Sequence, residues 1–489
     1  MKKVVSVLID NNDFLKPEEK EFFLDLTLNK IRSLTDEVYY TGREEPNSEL
    51  SLKKLDFSTS YEFLDFLRKD LKDTNVIILN AFSPLFDLSQ TEEMLSQHEK
   101  YVFDYSYTEN LPEGLLPEII STSFIEYFIQ YIPENLPLFK KTFRELIERE
   151  ISSYDCNIFI TESEISKYRI DFVPSNPNNL YVIKNIIENY KENLSIQQIE
   201  RIISENPAII RYRPTYYEIE LTTEREKGRM FASSLLKREG FMKLDHFKNI
   251  LNEIKKFSFN PVVSLGLFGE PFLHPEIDRI IEIISAYPEI SFLFESRGIF
   301  LNTNSIKEAL KLKNASIIFD ISFEDVEKFK AYKTPLNPVL PEKSFITLEN
   351  EIKSLPEREK IYIQFTRNIY NEEDLIKFYE RWKDFKERII IKKLDTFGGN
   401  LSNLRVVDLS PVKRFFCYHL KNDMVIYYNG DVPICREDIN GENLMGNIFK
   451  DGIEKCWNEM KKFYLSHFKN EFLPECLCKN CDDWWIFNF

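Results

Sequence analysis

Hydrophobic positions in the first two hundred residues switch repeatedly between short unbroken runs and helical spacing. KVVSVLI is a buried strand run, and PEEKEFFLDLTLNKIRSL is an amphipathic helix with Pro17 in its first turn. EVYYTG predicts a strand closing on Gly42, YEFLDFLRKDLKD a helix, and NVIILNAF a second buried strand. TEEMLSQHEK (helix), YVFDYSYT (strand), FKKTFRELIEREISSY (helix) and CNIFITE (strand) follow. This β-α-β alternation predicts a doubly wound, Rossmann-like α/β domain over residues 1–204. Pro207 and Pro214 break the pattern within Glu205–Pro214 and mark a boundary.

A second alternation covers residues 215–398. Its strand runs are YEIEL, VVSLGLF, SFLFES, SIIFDIS, IYIQFT and RIIIKK, and helices such as DHFKNILNEIKKF, HPEIDRIIEIISAY and EEDLIKFYERWKDF lie between them. Six β-α repeats predict a partial (β/α)6 barrel of TIM type, and an open doubly wound sheet fits nearly as well. From about Thr396 the chain turns to Gly-, Asn- and Asp-rich loops, so residues 399–489 form a third, small domain.

Composition narrows the partners. Hydrophobic content of 43% supports packed cores, and 29% charged residues of mixed sign exclude a disordered chain. The formal net charge of −16, with no block of Lys and Arg against it, disfavours nucleic acid and anionic membrane. Apolar runs fall short of the roughly 20 residues a spanning helix needs. The opening run of MKKVVSVLIDNNDF stops at Asp10 without a small-residue cleavage site, so it reads as a first strand of a cytoplasmic protein.

Cysteine placement carries the chemistry. Of seven cysteines, Cys156 stands alone; the others are Cys417, Cys435, Cys456, Cys476, Cys478 and Cys481. In a reducing compartment such a cluster reads as metal ligands rather than disulfides. Between Cys417 and Cys435, DMVIYYNGDVPIC predicts a β-hairpin turning at Asn429-Gly430, which brings both cysteines to one centre. Cys478-Lys-Asn-Cys481 is a knuckle that grips the same centre with two thiolates. Four thiolates in two pairs suit either zinc or a [4Fe–4S] cluster. Cys476 is an alternative ligand to Cys478. Cys456, in the helix FKDGIEKCWNEMKKF, reads as a small apolar core residue, and Cys156 as core in the strand it opens.

These residues carry a resemblance. CYHLKNDMVIYYNGDVPICREDINGENLMGNIFKDGIEKCWNEM with PECLCKNCDDWW resembles the SPASM domain of radical S-adenosylmethionine proteins. IYIQFTRNIYNEEDLIKFYERW and KKLDTFGGNL resemble the last strands of the barrel that accompanies it. With a nucleotidyltransferase-like N-terminal domain, the whole chain resembles the spiro-SPASM group. The resemblance implies one auxiliary [4Fe–4S] cluster on Cys417, Cys435, Cys478 and Cys481.

The chain also departs from that pattern. Radical chemistry in the family needs C-x3-C-x2-C after the first barrel strand, to hold a cluster whose open iron chelates S-adenosylmethionine. No cysteine lies between 157 and 416. Arg225, Arg229 and Ala232 fall near the three positions, and arginine offers iron no lone pair. S-adenosylmethionine chemistry is therefore not expected, and the barrel reads as a pseudoenzyme. Gly269, Glu270 and Pro271 in LFGEPFLHPEI resemble the family's Gly-Gly-Glu contact to S-adenosylmethionine; a tight strand-to-helix turn accounts for them as well. His274 beside them is expected to face solvent. In the N-terminal domain, Asn80 stands where a nucleotidyltransferase would place a metal-binding aspartate, and the DNNDFLKPEE loop has no glycine for a phosphate. Asp10 and Asp13 are candidate metal ligands or turn formers there.

The function expected is that of a [4Fe–4S] protein acting in binding, electron transfer or assembly, with a protein or peptide partner. The alternative is a nucleotidyl- or glycosyltransferase whose barrel and cluster are accessory.

Overall fold

The computed structural model describes residues 3–10, 12, 14–42, 52–139, 142–190, 193–224, 236–297, 303–322, 345–407, 410–472 and 476–485. Arg225, Arg229, Ala232 and Asp13 lie outside the described residues. The chain forms two compact units, Met1–Tyr212 and Arg213–Phe489. No described helix is long and apolar enough to cross a membrane.

The first unit is built on a seven-stranded sheet. Its strands are β1 (Lys3–Ile9), β2 (Val38–Thr41), β3 (Lys53–Leu55), β4 (Thr74–Asn80), β5 (Tyr105–Tyr107), β6 (Glu118–Ser121) and β7 (Cys156–Ile158), in the order β3-β2-β1-β4-β6-β5-β7. β1 and β4 pair in parallel over seven residues at the centre, from Lys3↔Thr74 to Ile9↔Asn80. Both are buried along most of their length, as strands covered on both faces must be. The helices predicted between them form: α1 (Pro17–Ile31), α2 (Ser60–Asp70) and α3 (Leu88–Tyr101). Thr59 opens α2 with a reciprocal cap to Glu62, and Asp87 caps α3 through Gln90 N–H.

The alternation gave no sign of β6, which lies antiparallel between β4 and β5. The helix expected over 139–154 shrinks to the turn Arg144–Ile147 followed by a 3-10 stretch, Glu148–Ser153. The Glu118 carboxylate accepts the N–H groups of Phe143 and Arg144, so helical structure starts at that contact. Cys156 does not open a core strand: it is half-buried on β7, at the edge of the sheet. Two further helices, α4 (Pro177–Tyr190) and α5 (Ile196–Glu205), complete the unit.

The second unit carries a curled, open, all-parallel sheet of seven strands. The six predicted runs become β8 (Tyr216–Ile219), β9 (Val262–Leu265), β10 (Ser291–Ser296), β11 (Ala315–Asp320), β12 (Ile361–Arg367) and β13 (Ile389–Lys393). Each pairs with the next in parallel. The outer helices α6 (Leu244–Phe257), α7 (Ile277–Ile284), α8 (Thr303–Lys311), α9 (Phe345–Lys353) and α10 (Leu375–Trp382) cross over between strands. In α6 the stripe Phe247, Ile250, Leu251 and Ile254 faces inward at helical spacing.

The seventh strand corrects the hairpin. β14 (Asp423–Ile426) pairs in parallel with β8, while β15 (Asp431–Pro433) pairs with β16 (Leu444–Asn447). The turn at Asn429-Gly430 is present: Tyr427 N–H donates to Asp431 O, and Gly430 takes the positive φ of 85° that favours glycine. It joins two sheets rather than two strands of one. All four residues of β14 are buried, and the open edge of β8 satisfies its backbone. Helix α11 (Ile453–Phe468) follows, with Cys456 fully buried on its inner face, as predicted.

Candidate metal centre

Three chain segments carry the clustered thiols. Cys417 immediately precedes the short helix Tyr418–Asn422, and the N–H groups of His419 and Leu420 point at its sulfur. Cys435 follows β15 and takes the N–H of Glu437 in the same way. Cys478 sits in the 3-10 turn Leu477–Lys479, and Cys481 accepts Asp483 N–H at 3.4 Å. Arg414 locks the knuckle from behind by donating to the carbonyls of Cys478 (2.8 Å) and Cys481 (3.2 Å). Aromatic contacts of Phe415 with Trp484 and of Tyr418 with Trp485 hold the end of the chain against the Cys417 segment.

Burial pushes the Cys417 thiol up to about 12. Burial likewise raises Cys435 well above its usual range, with the charges of Cys481, Glu437 and Cys417 adding to it. Cys481 is raised by burial, then Glu437 and Cys417. Cys478 is raised by its hydrogen bond with Cys476, then by burial, Cys435 and Cys417. Cys476 is pulled down to about 7 by the same bond, and its remaining charged neighbours are Asp438 and Arg414. Cys417, Cys435, Cys478 and Cys481 are the residues that could hold a metal centre, with Cys476, hydrogen-bonded to Cys478, as the alternative ligand. Buried neutral thiols are poor nucleophiles, but a metal centre displaces their protons and turns them into thiolate ligands.

A second set of groups, invisible as a motif, surrounds the thiols. One oxygen each of Asp395, Glu437 and Asp483 lies within 4.8 Å of the others. Arg436 reaches Glu218 at 2.9 Å and Asp395 at 3.6 Å, Lys392 reaches Asp395 at 3.1 Å, and Lys393 reaches Asp483 at 3.5 Å. His419, 3% exposed, donates from Nδ1 to Asp423 at 2.5 Å. The signal in the sequence is an offset: His419, Glu437 and Asp483 each stand two residues after a clustered cysteine.

Gly269, Glu270 and Pro271 lie in the turn after β9. A Cβ on Gly269 would come within 1.8 Å of the Thr222 carbonyl oxygen, so only glycine fits. The Glu270 carboxylate accepts Phe272 N–H at 3.4 Å and Arg297 N–H at 3.1 Å. His274 corrects the expectation of a solvent-facing residue. It is 2% exposed, with Nε2 on the Met242 carbonyl at 2.9 Å and Nδ1 accepting Glu276 N–H. Nε2 ties the turn before α7 to the segment before α6, and Nδ1 braces the turn itself. In the first unit, Asp10 accepts Tyr40 Oη–H (2.7 Å), Lys20 (3.2 Å) and Asn12 N–H (2.9 Å), and Asn80 accepts Phe82 N–H (3.0 Å). Both act as turn formers.

Comparison with known proteins adds three kinds of relative. A protein of Treponema pallidum (strain Nichols), described as "Uncharacterized protein", is 27% identical over 358 residues, which is 71% of this chain and 98% of that protein. Among solved structures, BtrN in complex with AdoMet and 2-DOIA is 17% identical with a TM-score of 0.37, over 52% of this chain and 87% of that one. Streptococcus suis SuiB bound to precursor peptide SuiA is 13% identical with a TM-score of 0.41, over 64% and 77%. Native anSMEcpe with bound AdoMet and Cp18Cys peptide is 13% identical with a TM-score of 0.41, over 55% and 86%. Residues 417–482, which include Cys417, Cys435, Cys476, Cys478 and Cys481, match the SPASM family, an iron–sulfur cluster-binding domain.

Proposed function

We propose that the second unit holds one [4Fe–4S] cluster on Cys417, Cys435, Cys478 and Cys481, and that the protein uses it in binding, electron transfer or assembly without radical S-adenosylmethionine chemistry. The observation that carries this reading is the match of residues 417–482 to an iron–sulfur cluster-binding domain, in which Cys417, Cys435 and Cys478 are buried and Cys481 is half-buried. Soft thiolates in a dry pocket with backbone N–H donors are the environment such clusters take. Cys476, hydrogen-bonded to Cys478, is the alternative ligand at that position. Against radical generation stand the lack of any cysteine between 157 and 416 and the Glu270 carboxylate, which is engaged by backbone N–H groups.

The test is iron, acid-labile sulfide and zinc per chain on anaerobically purified protein. About four irons and four sulfides are expected. About eight irons would mean a second cluster and defeat the pseudoenzyme reading. One zinc without sulfide would make the centre structural.

A transferase reading of the first unit has one observation in its favour. A cleft opens at the carboxyl ends of β1 and β4, lined by Ile9, Asn80, Tyr107, Thr108, Glu118 and Arg144, the edge where open α/β sheets bind ligands. Thermal shift with a panel of nucleotides and Mg²⁺ tests it; no shift with any of them is the expected result, because Asp10 and Asn80 are committed to turns.

A further inference from the structure

The cleft at the carboxyl ends of β1 and β4 encloses about 130 Å³. A cavity of roughly 150 Å³ holds one benzene, so this one suits a ligand with a single small ring. Ile9, Leu111, Leu116 and Pro117 give it apolar walls. Three other side chains in the wall keep hydrogen-bonding capacity that the fold does not use. The Glu118 carboxylate takes Tyr105 Oη–H and Arg144 N–H (3.3 Å) on Oε1, but on Oε2 it takes Phe143 N–H (2.6 Å) alone among the described residues. A lone pair of Oε2 is left over. Asn80 Oδ1 accepts Phe82 N–H at 3.0 Å, and its Nδ2 has no partner among the described residues. Thr142 N–H donates to Glu145, and the Thr142 hydroxyl likewise has no partner among them.

Charge sets the sign of the ligand. Arg144 is the one basic side chain among the described residues of the wall, and it is committed elsewhere. Its Nε reaches Glu148 at 2.9 Å, a terminal nitrogen reaches Glu109 at 3.1 Å, and the guanidinium lies 5.0 Å over the Tyr107 ring. Glu113 and Glu118 share the wall with it. An anion would meet two carboxylates and a guanidinium already neutralised. A cation would meet the remaining lone pair of Glu118, in surroundings dry enough to strengthen a charge-assisted hydrogen bond. Burial pushes that carboxyl up to about 7, and a cation beside it would draw it back down.

We propose that this cleft binds a small organic ammonium compound, whose charged nitrogen donates to Glu118 Oε2 and whose hydroxyl or carbonyl oxygen accepts from Asn80 and Thr142. The site uses no thiol and no nucleotide phosphate, so it stands apart from both readings given above.

The probe is trans-4-aminocyclohexanol, which carries an ammonium and a hydroxyl on opposite ends of one apolar ring. Cyclohexanol and cyclohexanecarboxylate are its controls. Each is titrated into the full chain at pH 8 and physiological salt, and binding is read from the line widths of the ligand's proton resonances. Saturable binding of one aminocyclohexanol per chain is expected, with both controls at least tenfold weaker. Glu118→Gln, which keeps an acceptor oxygen for Tyr105 but removes the charge, should weaken binding at least tenfold. Thr142→Val, which removes a half-buried hydroxyl, should weaken it at least threefold. Circular dichroism verifies that each variant is folded, and Thr142→Val, outside any helix or strand, carries the test if Glu118→Gln is not. No saturable binding to the unmodified chain, cyclohexanecarboxylate bound as tightly as the amine, or undiminished binding by either folded variant overturns the proposal.

Discussion

At the scale of single residues, burial decides what each ionisable group does. Glu118 is half-buried in the wall of the first unit's cleft; its carboxylate accepts Tyr105 Oη–H and the N–H groups of Phe143 and Arg144, yet burial still pushes its carboxyl up to about 7. Its unfolded value lies near 4.5, so between these values the unfolded chain has released a proton that the folded chain still holds. The contribution to stability is therefore full below about 4.5 and falls as pH rises through 7, by on the order of 3 kcal/mol. Thermal melts of the first unit should show higher stability at pH 5 than at pH 8. In Glu118→Gln that slope should flatten; an unchanged slope would assign it to other groups. The cysteines are expected to divide just as sharply. Cys435→Ala and Cys481→Ala should lose the metal and loosen the end of the chain, because ligand binding and local folding are coupled. Cys456→Ala, which removes a sulfur packed under α11, should keep full metal content at a cost of about 1 kcal/mol. Full iron in both ligand variants would refute the assignment.

At the scale of elements, the turn after β9 shows how a motif can serve the fold. Gly269 lies against the backbone of Thr222, Glu270 accepts two N–H groups, and His274 bridges to Met242. Each contact joins the carboxyl end of β9 to its neighbours. Gly269→Ala should therefore destabilise the second unit by roughly 1–3 kcal/mol, the usual cost of overpacking, in denaturant titrations. Its iron content should hold wherever it remains folded. The same scale explains the misread hairpin. A buried apolar run followed by Asn-Gly fits a hairpin or a strand that leaves for another sheet equally well. Only the presence of an unpaired edge on β8 decides between them.

At the scale of the molecule, each unit has its own sheet and core. Residues 1–212 should fold when produced alone, unfold cooperatively and contain no iron, while the iron of the full chain stays with residues 213–489. Iron in the shorter fragment, or its failure to fold, would count against this partition.

Most of the architecture was legible in the chain. The switch between unbroken runs and helical spacing located all six strands of the second sheet up to β13, because that periodicity is local and follows from burial on one face or two. The clustered cysteines likewise pointed to the stretch, residues 417–482, that matches an iron–sulfur cluster-binding domain. What the sequence left open depends on partners far along the chain. β6 inserts antiparallel because β4 and β5 offer it two edges; β14 joins β8 over two hundred residues away; His274 is buried because Met242 presents a carbonyl. Asp395, Glu437 and Asp483 meet only once three segments have folded onto one point. A residue's neighbours along the chain determine its secondary structure, but contacts between distant segments are settled by which edges, carbonyls and charges remain unsatisfied when the tertiary structure closes.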